Sequence, residues 1–303
     1  MAANSTSRAF AARSALSPRT LAAVLVTVST WGSAFAGIRA GLTAYTPAHL
    51  ALLRYLIASL ALAVYALVTH MPLPARRDLP RVALLGFLGI AFYNLALNFG
   101  EETVASGTAS LIIASVPIWM ALLGSLLFRE RLRLPGWLGI ALSFAGVAVI
   151  ALGNQGGLKV DPRAVVILIA AISSSLYSLG QKPLLTRYGA LQCTAYAIWA
   201  GAILLLPFGL RLPAAVSTAP LGATGAISYL GIVPGALGYC TWAYILARVP
   251  AATAGSFLYL VPAFAMLIAW LWLGEVPTLL SLGGGLLVLA GVIVVNSWGR
   301  GQR

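Results

Sequence analysis

One stretch of this chain occurs twice, at a fixed spacing and without a gap. The first copy starts at Val104 with VASGTASLIIASVP and continues through LLFRERL into LGIALSFAGVAVIAL; the second starts at Val249 with VPAATAGSFLYLVP and continues through WLWLGEV into LGGGLLVLAGVIVVN. A shift of 145 carries Pro117 onto Pro262, Glu130 onto Glu275 and Gly139 onto Gly284. The same shift carries Thr108 onto Thr253, and Ala145-Gly146-Val147 onto Ala290-Gly291-Val292. A repeat constrains the fold before any local propensity does, because each copy must build the same unit and the two must fit together.

Composition decides what kind of unit this is. Of 303 residues 60% are apolar and 8% charged, whereas a soluble domain is about a quarter charged. A helix crossing the hydrocarbon layer needs about 20 apolar residues. That rule predicts ten spans, at 20–39, 47–69, 80–99, 103–128, 135–151, 163–186, 189–208, 218–245, 250–273 and 277–296. The gaps between them carry Pro, Gly and charge and leave no room for a soluble domain. The expected fold is an all-α membrane protein. Its units are a disordered lead (1–19), a first five-helix repeat (20–152), a second five-helix repeat (163–297) and a short tail (298–303).

The net charge of +13 forms no basic tract on a polar domain, so it does not point to nucleic acid. It sits in the gaps between spans. Of the 19 Lys and Arg, Arg39, Lys159, Arg163 and Arg211 fall on one side, Arg54 lies inside the second span, and all the others fall on the opposite side. Basic residues mark the cytoplasmic face, so both termini are expected in the cytoplasm. Five spans per repeat then insert the second copy upside down relative to the first. Inverted repeats with a site at their interface are the architecture of secondary transporters.

Polar residues inside the spans mark where a site would lie, because polar groups at membrane depth face other helices or a cavity. In the sixth span Ser174, Ser178 and Gln181 recur at i, i+4, i+7 with Tyr177 beside them, and in the third Asn94 and Asn98 are one turn apart next to Tyr93. Ser115 and Trp119 share a face of the fourth span, and Gly255, Tyr259 and Pro262 a face of the ninth. The eighth contributes Tyr239 and Trp242, the first Trp31 and Phe35. Single serines and glycines on such faces serve helix packing; Gln181 and the two asparagines point to a cavity. Pro117 and Pro262 fall within spans four and nine and free the carbonyls of Ile113 and Leu258. With Pro234 of the eighth span they are the expected bending points of a gate.

Absences narrow the chemistry. The six acids, Asp78, Glu101, Glu102, Glu130, Asp161 and Glu275, all lie at span ends or in loops, as do His49 and His70. With no carboxylate at mid-depth, proton coupling is not expected, and transport is read as facilitated. Arg54 is the one charge inside a span, suited either to a structural role or to a substrate carboxylate. No metal-binding cluster, hydrolase pair or cofactor motif is present, and Cys193 and Cys240 lie in apolar runs as packed thiols. An enzyme is not expected, nor a cofactor.

These residues bring a family into view. WGSAFAGIRAGL in the first span, HLALLRYLIASLAL in the second and the doubled Pro-to-Glu segment resemble the EamA-type members of the drug/metabolite transporter superfamily, most closely its YddG-like amino acid exporters. The resemblance covers about residues 20 to 297. It implies a central cavity between the halves, lined by helices 1, 3, 4, 6, 8 and 9, in a bacterial inner (plasma) membrane. It also implies alternating-access export of neutral or aromatic amino acids and similar small amphiphilic metabolites, with membrane lipid as the other partner. Ser173-Ser174-Ser175 stands where the family often has an aromatic, which would make the cavity wider or more polar and admit cargo such as threonine or methionine. Alternatives are another metabolite class, either a drug-like cation or an anionic sugar nucleotide or phosphate, and lipid scrambling.

Overall fold

A computed structural model describes residues 17–128, 133–153, 161–246, 248 and 257–298. Glu130, Thr253 and Gly255 lie outside the described residues. So does nearly all of the lead expected at 1–19. Among the described residues the secondary structure is entirely helical. The helices are α1 (Pro18–Gly41), α2 (Pro47–Val68), α3 (Arg76–Gly100), α4 (Ser106–Ile113), α5 (Val116–Phe128), α6 (Leu134–Gly153), α7 (Pro162–Gly180), α8 (Ala190–Leu205) and α9 (Leu212–Thr218). Then come α10, which runs as Leu221–Leu230, Gly231–Leu237 and Gly238–Leu246, α11 (Val261–Leu273) and α12 (Leu279–Trp298). Among the described residues six helices are long and apolar enough to cross a membrane, and four shorter apolar helices accompany them. Large apolar side chains cover the outside: Leu210 and Leu221 are each 91% exposed. Such a surface is stable against lipid and not against water.

Helix starts follow local chemistry. Ser17, Thr46 and Asp161 cap α1, α2 and α7, accepting from the backbone N–H of Thr20 (3.2 Å), His49 (3.2 Å) and Arg163 (2.9 Å), and each is followed by proline. A capping oxygen satisfies one of the orphan N–H groups, and proline at the first position has no N–H to orphan.

The expected bends at Pro117 and Pro262 are helix breaks. The fourth span is two helices, with α4 ending at Ile113 and Pro117 sitting in the first turn of α5. Pro262 is likewise in the first turn of α11, after the 3-10 turn Leu258–Leu260. A break costs less than a bend because the proline then occupies a position whose N–H has no helical partner. Pro234 alone lies inside a helical segment, and that segment is wound as a π-helix.

Contacts obey the repeat. α3 carries a π segment at Phe87–Phe92 and α10 one at Gly231–Leu237, which coincide almost residue for residue under the shift of 145. Each is entered at a glycine. A Cβ on Gly86 would lie 2.6 Å from the Gly201 nitrogen on α8, and one on Gly231 would lie 2.8 Å from the Arg54 carbonyl on α2. Thus α3 of the first half is clasped by α8 of the second, and α10 by α2. The most extensive helix pair is α6 with α12, and these are repeat equivalents. Gly139 meets Gly291, Ser143 Oγ donates to the Val288 carbonyl at 3.0 Å, and Gly146 meets Gly284. Residue numbers fall along one helix as they rise along the other, so the pair is antiparallel. Ser143 and Val288, themselves equivalents, touch at its centre.

Backbone-to-backbone contact leaves nothing to move aside. A Cβ on Gly146 would lie 2.6 Å from the Gly284 oxygen, whereas one on Gly283 meets nothing within 4 Å. Gly146→Leu is therefore expected to destabilise the protein by about 1–3 kcal/mol and lower its melting temperature in detergent, with Gly283→Leu close to unchanged. Equal melting temperatures for the two variants would count against this seam.

Candidate functional site

Side chains from both halves converge beside the two π segments. The indole of Trp31 on α1 donates to the Pro234 carbonyl (3.2 Å) and meets Tyr239 edge-on at 5.4 Å and Trp242 at 5.5 Å. Tyr239 is in electrostatic reach of Tyr55, Tyr177, Tyr93 and Arg54. Tyr177 lies over Gly89, where a Cβ would sit 2.4 Å from its ring, and its hydroxyl is in reach of the Thr194 side chain on α8. The absence of a side chain at Gly89 is what admits this ring. Tyr55, Tyr93 and Tyr239 thus lie within electrostatic reach of one buried guanidinium, that of Arg54, with Tyr177 and two tryptophan rings beside Tyr239. Such a set offers hydroxyl donors and acceptors, aromatic faces and a single positive charge.

Other expected site residues bond to the protein itself. Asn94 donates to the Ile90 carbonyl (2.8 Å) and accepts from Arg54 Nη1 (3.3 Å), and Asn98 donates to the Pro47 carbonyl (3.0 Å). Ser115 Oγ donates to the Ile112 carbonyl at 2.6 Å, Trp119 stacks edge-on against Phe144 of α6 at 4.9 Å, and Phe35 is buried in the core. Ser178 donates to the Ser174 carbonyl (2.8 Å), and Gln181 forms the C-cap of α7. Tyr259 lies in the turn before α11 and packs on the main core. The serine triplet has another use than widening a cavity. Ser173 donates to the Leu88 carbonyl in the π segment of α3 (2.8 Å), and Ser175 to the Val116 carbonyl next to Pro117 (3.0 Å). Only Ser174 of the three is not fully buried.

One end of this site is closed by charge. Arg39, in the last turn of α1, pairs with Glu275 at 3.3 Å and donates to the carbonyls of Glu101 and, at 2.7 Å, Glu102. The Ser106 N–H at the start of α4 donates to the same Glu275 carboxylate (2.9 Å). Glu102 pairs with Arg163 of α7 at 2.9 Å, and Thr103 donates to Asp161 at 3.3 Å. Four segments from both halves meet there. At the opposite end of α3, Asp78 takes Arg187 at 2.6 Å and the Tyr188 hydroxyl at 2.8 Å. Under the shift of 145 Arg39, Asp78 and Arg187 fall on Leu184, Ala223 and Leu42, so neither pair is a repeat copy of the other.

Arg54, Tyr55 and Glu101 escape the polar-stripe reading. Glu101 looks solvated beside Glu102 at a helix end, yet it is completely buried. Its register is the missed signal: Asn94, Asn98 and Glu101 stand at i, i+4, i+7 and share one face. Burial, and then the neighbouring Glu275 carboxylate, push the Glu101 carboxyl well above the usual carboxylate range against the pull of Arg39 and Arg54. No group of three or more His, Cys, Asp or Glu side chains that could hold a metal occurs among the described residues.

Known proteins share this layout. A sequence model of the EamA-like transporter family matches residues 19–152 and again 162–297. The uncharacterized transporter YdfC of Bacillus subtilis is 44% identical over 88% of this chain and 87% of its own. A probable terminal-alkyne amino-acid exporter of Streptantibioticus cattleyicolor is 43% identical over 93% and 94%. A protein of known crystal structure, 20% identical, aligns with a TM-score of 0.62 over 92% of this chain and 96% of that one, which shows a shared fold.

The Arg39–Glu275 pair is part-exposed, at 33% and 20%, so it contributes at most about 1 kcal/mol, roughly a fivefold bias. Glu275→Gln should raise the maleimide labelling rate of a cysteine introduced at Ala105, in the crevice beside Glu275, by up to that factor, in a background lacking Cys193 and Cys240. An unchanged rate would mean the pair holds nothing shut.

Proposed function

The chain belongs to the EamA-like transporter family, and from that premise we propose that it exports neutral or aromatic amino acids and similar small amphiphilic metabolites across a bacterial inner membrane by alternating access. Ten spans in two inverted five-helix repeats, 20–152 and 163–297, enclose a central site, with both termini in the cytoplasm. The antiparallel pairing of α6 with α12 supports the inversion, and the basic cluster Arg76, Arg77 and Arg81 at the start of α3 supports the orientation. On that orientation the Arg39–Glu275 closure faces outward and the Asp78–Arg187 pair faces the cytoplasm.

The observation that carries the substrate class is one buried guanidinium, Arg54, with Tyr55, Tyr93 and Tyr239 in its reach. Arg54 suits a carboxylate. The hydroxyls of Tyr93, Tyr177 and Tyr239, with Ser174, Ser178 and Gln181, suit an amino group. Trp31, Trp242 and Tyr259 suit the side chain, while Phe35, Asn94, Asn98, Ser115 and Trp119 hold the surrounding helices. Pro117, Pro234 and Pro262 lie where helices are broken or wound loosely, which suits hinges. The amino-acid exporter from Streptantibioticus is consistent with this cargo. An anionic sugar nucleotide or phosphate would call for a second buried cation, and Arg54 is the only buried Lys or Arg among the described residues. A drug-like cation would call for an ionised carboxylate beside the tyrosines, and the one in reach of Tyr93, Glu101, is buried with Arg54 and Arg39 as its neighbours. Lipid scrambling would call for a polar groove open to lipid. Facilitated movement is expected from the absence of a carboxylate at mid-depth; Glu101 lies at a helix end but is buried there.

Purified protein in liposomes should show saturable flux of threonine, methionine or phenylalanine. Tyr239→Ala and Gln181→Ala should lower it, Tyr239→Ala most for phenylalanine. Flux of labelled lipid, or of sugar nucleotide alone, would sink the amino acid reading.

A further inference from the structure

The face of α3 from Asn94 to Glu101 holds more polarity than its neighbours satisfy. Both carboxyl oxygens of Glu101 are buried without a hydrogen-bond partner, as are Asn98 Oδ1 and Arg54 Nε. The cations around Glu101 are committed elsewhere. Arg39 of α1 is held by Glu275 and by two backbone carbonyls, and Arg54 of α2 reaches Asn94 at 3.3 Å. Arg163 of α7 is taken by Glu102, and the remaining titratable groups facing this region are Tyr93 of α3, Tyr55 of α2 and Glu275 beyond α11. A carboxylate stripped of water and of donors, with a second carboxylate nearby, does not keep its charge.

We propose that Glu101 is a proton-binding site that couples export to inward movement of protons, neutral while Arg39 and Glu275 close the outer end and ionised as that end opens. This rests on reading the chain as an exporter. When Glu275 withdraws, Arg39 loses its carboxylate and Glu101 gains both water and a free guanidinium, so the open form binds the proton more weakly. The closed form then holds more protons than the open one, and raising the pH favours opening. In a full cycle the Glu101 carboxylate takes a proton from the outer side and the protein closes. When the inner end opens, the proton leaves to water on the cytoplasmic side, and the carboxylate so restored lets the outer end reopen with cargo aboard. One proton enters for each substrate that leaves, and no other reactant is required.

The test has two arms on the full-length protein. In nanodiscs, spin labels at Thr43 and Thr278, exposed positions flanking the Arg39–Glu275 pair, report the distance across the closure in a background without Cys193 and Cys240. The open-to-closed ratio is expected to rise with pH by up to about tenfold per unit between the two pKa values of the carboxyl. Glu101→Gln should stay closed at every pH, its closed-state distance showing that it folds, and Glu101→Asp should still titrate. A ratio that ignores pH in the native sequence, or an unchanged titration in Glu101→Gln, overturns the proposal. In liposomes, acid outside should speed amino acid export several-fold, and Glu101→Gln should lose that acceleration. Export indifferent to the gradient overturns the coupling. If no amino acid moves in any variant, the cargo assignment fails, and the titration in nanodiscs still decides for or against Glu101.

Discussion

Inside a membrane a backbone carbonyl released from its helix has no water to turn to, and much of this protein follows from where it releases them. The π segments of α3 and α10 and the breaks before Pro117 and Pro262 disturb the regular ladder at repeat-related places. Side chains from other helices meet the disturbed backbone. Ser173 bonds the Leu88 carbonyl, Ser175 that of Val116, and Trp31 that of Pro234. These bonds bring α7 against α3 and α5, and α1 against α10. The aromatic cluster is therefore seated where the helices are least regular. A site that must change shape is placed on backbone that already departs from the α-helix.

Repeat symmetry distributes the remaining work between glycine seams and polar ends. Where α6 meets α12, and where Gly86 and Gly231 admit α8 and α2, backbones approach so closely that a methyl group would collide. Close approach of small residues is how helices gain packing energy in lipid, where burying apolar surface gains little. These seams join first-half helices to second-half ones at equivalent points, so a movement that exchanged the conformations of the halves would preserve them. The gates need not share that rigidity.

The large features were legible because they are set by periodicity and composition. The shift of 145, the apolar spans and the basic gaps need no knowledge of partners, and the family match covers both copies. The site was legible only in part. Trp31, Tyr239 and Trp242 do meet, and Tyr93 and Tyr177 lie near Tyr239. The serine triplet was misread because its function depends on which carbonyls the neighbouring helices release, and local sequence does not show a π segment in another helix. Glu101 was misread for a related reason. Its position at a helix end is correct, but four other segments fold over that end, and only contact between distant parts of the chain turns a terminal carboxylate into a buried one. The i, i+4, i+7 register with the two asparagines was available and points the right way.

The two ends of the molecule bear on the proposed alternation between two conformations. The closure at Arg39 is made of part-exposed ion pairs, 33% and 20% exposed at Arg39–Glu275 and 31% and 32% at Arg163–Glu102. Pairs of that exposure contribute little individually, so on the proposed mechanism substrate or a proton would outweigh them. A transporter needs this balance, because a ligand shifts an equilibrium only by the difference in its affinity for the two forms. At the other end the Asp78 carboxylate is 4% exposed and holds both Tyr188 and an Arg187 that is itself 45% exposed. The two ends therefore differ in kind: at one a part-exposed glutamate is shared between Arg39 and the start of α4, at the other a buried aspartate is shared between an exposed arginine and a tyrosine. The repeat relates the helices of the two halves, but under its shift Arg39, Asp78 and Arg187 fall on Leu184, Ala223 and Leu42, so the pairs at the ends are not copies of one another.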